Sequence, residues 1–237
     1  RPFTFLRYCL RRYVPWSILE WVRIKIFGTY ERPFTKAGLE AVSKAKCIFI
    51  HIPKNGGSSV RTALSETVQI PHAGHRNYAA FYHRLGAAEF QRCFSFAFVR
   101  NPWSRVISQF YFLRQVEPKN KEYADLKKVA EYFESPSDFI CEWLRPFRIY
   151  YYGAFLPQYR YVCNAKGELM VSHVAKLENF NEELAYISSK IEQELPALHR
   201  NTYTKRNYKD YYTAESKAVI SKIYARDIAL FDYTFDS

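Results

Sequence analysis

No apolar run in this sequence of 237 residues reaches the length of a bilayer span. Its nearest approach, WSILEWVRIKIF at 16–27, is interrupted by Glu20, Arg23 and Lys25, and reads as an amphipathic helix packed on a core. Cys-x-x-Cys pairs are missing too. The five cysteines (Cys9, Cys47, Cys93, Cys141, Cys163) are odd in number and have no His partners at metal spacing. That pattern gives neither a disulfide framework nor a metal site, and points to buried free thiols. There is no Asn-x-Ser/Thr sequon, which points away from a secretory lumen. Acidic residues are scarce: 23 Asp and Glu face 35 Lys and Arg, a formal charge of +12. So basic a chain favours anionic partners such as nucleotides, acidic glycans, nucleic acid or anionic membranes, and charge alone does not choose among them.

What is present is a large apolar and aromatic stock, 48% hydrophobic with 20 Tyr and 19 Phe, enough for one substantial core. The run CIFIHI at 47–52, closed by Pro53, reads as a buried parallel strand. A helix is expected over 58–66 with Ser58 and Ser59 in its cap region, and a second strand over 94–99 (FSFAFV). Pro102 then suits the first turn of a helix over 102–114. Helical sequence near 77–90 makes the connection a βαβ unit. Further helices are expected at 121–134, 137–144, 181–194 and 214–230, with a hairpin pairing 159–163 and 169–175 around the turn 164–167. Residues 28–46 read as a polar loop. The expected organisation is an N-terminal helix and linker over 1–45 packed on a single α/β domain over 46–237.

The loop between the first strand and its helix is Pro53-Lys54-Asn55-Gly56-Gly57-Ser58-Ser59. Two glycines let the backbone curl and approach a ligand closely, and the next helix aims free N–H groups and hydroxyls at the same point. Lys54 adds a full charge. An ordinary tight βα turn explains the glycines but not the lysine and serines beside them. The loop differs from the triphosphatase pattern GxxxxGK[ST], because Lys precedes the glycines and the partner strand ends in Arg100 where a magnesium-binding Asp would stand. That favours an anionic nucleotide held without metal. Arg100, at the end of the second strand, and Ser108, two turns into the next helix, can converge on one phosphate. Taken alone, RNPWSR is equally a helix start with surface charge.

Together, HIPKNGGSSV and FAFVRNPWSRVISQFYF resemble the two donor-binding motifs of the carbohydrate-type sulfotransferases, the 5′-phosphosulfate loop and the 3′-phosphate motif. GHRNYAAF at 74–81 is similar to the GHxxYxxF segment around the base histidine of heparan sulfate 2-O-sulfotransferase. KLENF at 176–180, YKDYY at 208–212 and the stretch from Asp227 to Tyr233 resemble bacterial members. The likeness covers roughly 47–235. Asn55 departs from the usual Thr, and His51 stands where some relatives carry Arg.

The resemblance implies a central parallel sheet flanked by helices, the P-loop-kinase-like sulfotransferase fold. It also implies in-line transfer of a sulfuryl group from PAPS (3′-phosphoadenosine 5′-phosphosulfate) to a hydroxyl, leaving PAP, with no metal. Lys54 would neutralise the leaving 5′-phosphate, Asn55, Gly56, Gly57, Ser58 and Ser59 would hold the 5′ end, and Arg100 with Ser108 would grip the 3′-phosphate. His75 would be the general base, with His72 second. Lys205 and Arg206 would close over the nucleotide or touch an acidic acceptor. Glu178 would orient the site or cap the following helix, while His83, His173 and His199 read as ordinary histidines. The expected partner is an oligo- or polysaccharide hydroxyl rather than nucleic acid. The expected compartment is the cytoplasm, or the Golgi lumen if an anchor precedes Arg1. Two readings stand against this one: a nucleotide-dependent kinase of a sugar or small molecule, and a non-enzymatic basic module that binds glycan or nucleic acid.

Overall fold

In the computed structural model, residues 35–68, 74–118, 120–195 and 207–237 are described. In chain order the elements are α1 (Lys36–Ala45), β1 (Cys47–Ile50), α2 (Gly57–Thr67), α3 (Tyr78–Leu85), α4 (Ala87–Arg92), β2 (Phe94–Val99), α5 (Pro102–Gln115) and α6 (Lys121–Tyr132). A helical turn, Pro136–Asp138, runs into a π-helix, Phe139–Trp143, before α7 (Pro146–Tyr151), α8 (Tyr159–Val162), β3 (His173–Lys176), α9 (Phe180–Ile191), α10 (Ala214–Ile223) and α11 (Ala225–Leu230). They belong to two compact units, one of residues 35–99 and 158–195, the other of 100–157 and 207–237.

The first unit carries the sheet. β2 is its middle strand and pairs in parallel with β1 (Cys47 opposite Phe94) and with β3 (Phe96 opposite His173). Strands that are apolar along their whole length suit this arrangement, because helices cover parallel strands on both faces. Ile48, Ile50, Phe96 and Phe98 are all buried, each worth about 1.5–3 kcal/mol of transfer free energy. The connection from β1 to β2 through α2, α3 and α4 is the expected βαβ crossover. Burial pushes the Cys47 thiol up to about 12, and Cys47, Cys93, Cys141 and Cys163 form no disulfide among the described residues.

Three sequence expectations need correction here. The loop expected over 28–46 contains α1, which begins where the Thr35 hydroxyl accepts from Gly38 N at 3.0 Å and ends at left-handed Lys46. Helical sequence at 77–90 is cut in two at Gly86, whose φ of 83° no ordinary helix continues through. The hairpin is absent: residues 159–162 form α8, and β3 joins β2 in parallel instead. Of the expected antiparallel pairing only a single bridge, Cys163 to Leu169, survives. The turn at 164–167 does form, with Gly167 N donating to Asn164 O at 3.1 Å. The expected N-terminal helix at 16–27 lies outside the described residues.

The second unit is helical and is built around α5. Phe110 on α5 meets Phe139 at 5.3 Å between ring centroids, and Phe139 meets Trp143 at 5.1 Å and Phe155 at 5.7 Å. The π-turn closes with Leu144 N donating to Phe139 O at 3.1 Å. The helix expected at 214–230 breaks at Tyr224, whose hydroxyl donates to Phe155 O at 2.8 Å. Among the described residues, no helix is long and apolar enough to cross a membrane.

Candidate functional site

β1 ends at Ile50, and the loop that follows turns on two left-handed residues. Lys54 has φ 68° and Gly56 has φ 72°, with Asn55 between them. Alternation of this kind points successive backbone N–H groups into one concavity, the geometry of an anion nest. Gly56 is the N-cap of α2 and supplies no side chain to cap it, while Ser59 N donates to Gly56 O at 3.2 Å. No acidic residue occupies the first turn of α2, and the positive end of the helix is not neutralised there. Ser58 and Ser59 lie inside that first turn and not at the cap, Ser58 exposed and Ser59 half-buried. Lys54 is half-exposed.

Both glycines are required sterically. A Cβ on Gly56 would come within 2.7 Å of the Leu177 side chain, at a φ that side chains rarely adopt. A Cβ on Gly57 would come within 2.0 Å of the His51 ring. Gly57→Ala should therefore destabilise the protein by about 1–3 kcal/mol, the usual cost of overpacking, which urea unfolding would measure.

His51, noted in the sequence only as standing where some relatives carry Arg, takes a larger place in the structure. Its ring lies against Gly57 and 4.4 Å, centroid to centroid, from the ring of His75, the expected base. Phe49 stacks on its other side at 5.6 Å. The structure thus brings His75 beside the Lys54–Ser59 loop through a second imidazole. His75 is exposed, while the Arg76 and Asn77 that follow are buried. Asn77 anchors the segment by accepting from Ala80 N at 3.2 Å, the N-cap of α3.

Asn55 takes a different position from the one its place in the loop suggests. Its side chain is 1% exposed and turned into the protein. Nδ2 donates to Phe98 O and to Gln158 Oε1, both at 2.7 Å. Its Oδ1 is buried and meets no hydrogen-bond partner among the described residues.

In the other unit, Asn101 caps α5, accepting from Trp103 N at 3.1 Å and Ser104 N at 3.4 Å, with Pro102 in the first turn. Its Nδ2 donates to Thr234 O at 2.8 Å and to Ser237 O at 2.9 Å, which fastens that segment to the helix start. Arg100 lays its guanidinium on the Ser104 hydroxyl, from Nε at 3.0 Å and from Nη2 at 2.7 Å. Ser104 was not singled out in the sequence; Arg100 lies before the N-cap, and Ser104 and Ser108 are four residues apart on α5 and so share one face. Ser108 is buried on the same helix, and again no acid lies in the first turn. Arg105 is held elsewhere, donating to Ala154 O at 3.4 Å. Tyr212 donates to Trp103 O at 2.9 Å, and burial raises its phenol well above the usual range.

The remaining candidates separate cleanly. His173 pairs with Glu183 at 2.7 Å, and Glu183 also accepts from Lys176 N at 2.9 Å, a structural arrangement at the sheet edge. His83 sits in the last turn of α3. Glu178 lies in the 3₁₀ turn Leu177–Asn179, and the N-cap of α9 is Asn179, so Glu178 is not the cap. His72, His199, Lys205 and Arg206 fall outside the described residues. No group of three His, Cys, Asp or Glu side chains among the described residues could hold a metal ion.

No curated protein and no solved structure matches the chain significantly. A family model does match, that of the sulfotransferase family, over residues 41–234. That span holds the whole sheet, the Lys54 loop, His75 and the Arg100–Ser108 helix. The chain belongs to the sulfotransferase family.

Proposed function

We propose that this enzyme moves a sulfuryl group from PAPS to a hydroxyl of a carbohydrate, with His75 as general base. One observation carries the donor half. The loop after β1 has left-handed turns at Lys54 and Gly56 and leads into a helix whose first turn is free of acidic residues. Such a cradle suits the 5′ end of an anionic nucleotide. Arg100, Ser104 and Ser108 offer a guanidinium and two hydroxyls for the 3′-phosphate.

PAPS supplies the sulfuryl group on a mixed anhydride whose other half leaves as PAP. The acceptor oxygen forms its bond to sulfur as the sulfur–oxygen bond to the 5′-phosphate breaks. Lys54 neutralises the charge that collects on the departing phosphate oxygen, and backbone N–H groups of residues 55–59 hold its neighbours in place. An imidazole nitrogen of His75 takes the hydroxyl proton. Most of the protein's work is therefore positioning and charge stabilisation. Lys205 and Arg206 add positive charge for the nucleotide or an acidic acceptor, consistent with the net charge of +12.

Calorimetric titration with PAP, and separately with ATP and magnesium, tests the donor. The chain should bind PAP at micromolar concentration. Arg100→Ala should weaken that binding by about 10–100-fold, the worth of charge-assisted hydrogen bonds to a phosphate. Tight binding of ATP with magnesium and silence toward PAP would replace this reading with that of a kinase.

A further inference from the structure

We propose that Asn55 and Gln158 form a buried amide clamp that sets the geometry of the Lys54–Gly56 turn, making both positioning residues for the 5′ end of the donor. The inference rests on the donor reading above.

Gln158 is fully buried and Asn55 nearly so, and the two are 103 residues apart in sequence. One nitrogen, Asn55 Nδ2, faces two acceptors at 2.7 Å, the carbonyl of Phe98 on β2 and the side-chain oxygen of Gln158. Only a group with two N–H donors serves both. With Gln158 Oε1 turned toward position 55, a hydroxyl has one proton for two acceptors, and a carboxylate has none. Asn55 stands where the resemblance expects threonine, and Gln158 is the structural counterpart of that departure.

The clamp acts on function through its place in the turn. Asn55 lies between the two left-handed residues, Lys54 at φ 68° and Gly56 at φ 72°. Its side chain therefore fixes the peptide planes on either side, the same planes whose N–H groups form the cradle. Lys54 has a Cβ and gains nothing locally from a left-handed backbone, so the conformation must be imposed by what surrounds it. Two buried hydrogen bonds from the next residue hold the turn at that point. Gly56 is confined from the other side by Leu177.

A single substitution should thus loosen one end of the nucleotide site and spare the other. The full chain would be titrated with PAP, with adenosine 5′-monophosphate and with adenosine 3′-monophosphate. Asn55→Thr should weaken the 5′-monophosphate by about tenfold or more, since a buried acceptor is left without a donor. The 3′-monophosphate should bind as in wild type. Gln158→Leu should show the same selective loss, because it strands one N–H of Asn55. In the double variant Asn55→Thr, Gln158→Leu, the lone hydroxyl again meets a lone acceptor, Phe98 O, and 5′-monophosphate affinity should recover. Recovery is the readout that a merely destabilised fold would not give.

Unchanged 5′-monophosphate binding in Asn55→Thr, with PAP bound by wild type, overturns the clamp alone. So does equal loss of both monophosphates without recovery in the double variant. A wild-type chain that ignores PAP overturns the donor reading and the clamp with it.

Discussion

Lys54→Gly should yield a protein that is more stable than wild type by about 1–2 kcal/mol and yet transfers sulfuryl groups about 10²–10³-fold more slowly. The two halves of this result have separate causes. Lys54 holds a left-handed backbone at φ 68°, where a Cβ crowds the following carbonyl and glycine does not. Removing the side chain releases that strain. On the donor reading proposed above, it also removes the cation that balances charge on the departing 5′-phosphate, a contribution comparable to that of one donor in an oxyanion hole. Lys54→Ala separates the effects, because alanine keeps the Cβ and so keeps the strain. It should lose turnover to the same degree and gain no stability. Urea unfolding measures the first quantity and single-turnover kinetics the second. Near-normal turnover in Lys54→Ala would remove Lys54 from the chemistry, and a Lys54→Gly protein no more stable than wild type would show that its backbone is not strained.

Strain at Lys54 also marks the limit of what the sequence discloses. The first two strands are legible, because the runs at 47–50 and 94–99 are apolar but for Ser95 and bounded by Pro53 and by Arg100-Asn101-Pro102. The helix after each loop is legible for the same reason, with Pro102 and the paired glycines as local signals. The hairpin fails because periodicity over four or five apolar and aromatic residues cannot distinguish one helical turn at 159–162 from a strand. Helix α1 is missed although Thr35 is a good cap residue, since Lys and Ser positions dilute its apolar face. Among the candidate site residues, Lys54, Gly56, Gly57 and Arg100 stand out by residue type alone. Ser104 is recoverable from its four-residue spacing to Arg100. His51 and Gln158 are not. A ring packed on a glycine and a hydrogen bond spanning 103 residues are tertiary facts with no local signature.

His51 also sharpens the expectation for the base. His75→Ala should lower kcat by about 10²–10⁴-fold, the range for a positioned general base, while PAP affinity stays within about twofold of wild type. His75 is exposed, and its ring is placed by the neighbouring His51 ring at 4.4 Å, so its removal opens no core cavity and leaves the Lys54 turn in place. The acid limb of the pH–rate profile, which reports formation of the free base, should disappear with it. His51→Ala distinguishes position from chemistry. It removes the ring that sets His75 and empties the space over Gly57, yet leaves the proton acceptor itself. That variant should therefore lose less, about tenfold in kcat, and keep the acid limb. Steady-state kinetics with an accepted hydroxyl substrate, across pH, would compare the two. If His51→Ala abolishes turnover and the acid limb while His75→Ala retains both, the proton is taken by His51. In that case the ring seated on Gly57, at the end of β1, is the base, and His75 is the residue that holds it there.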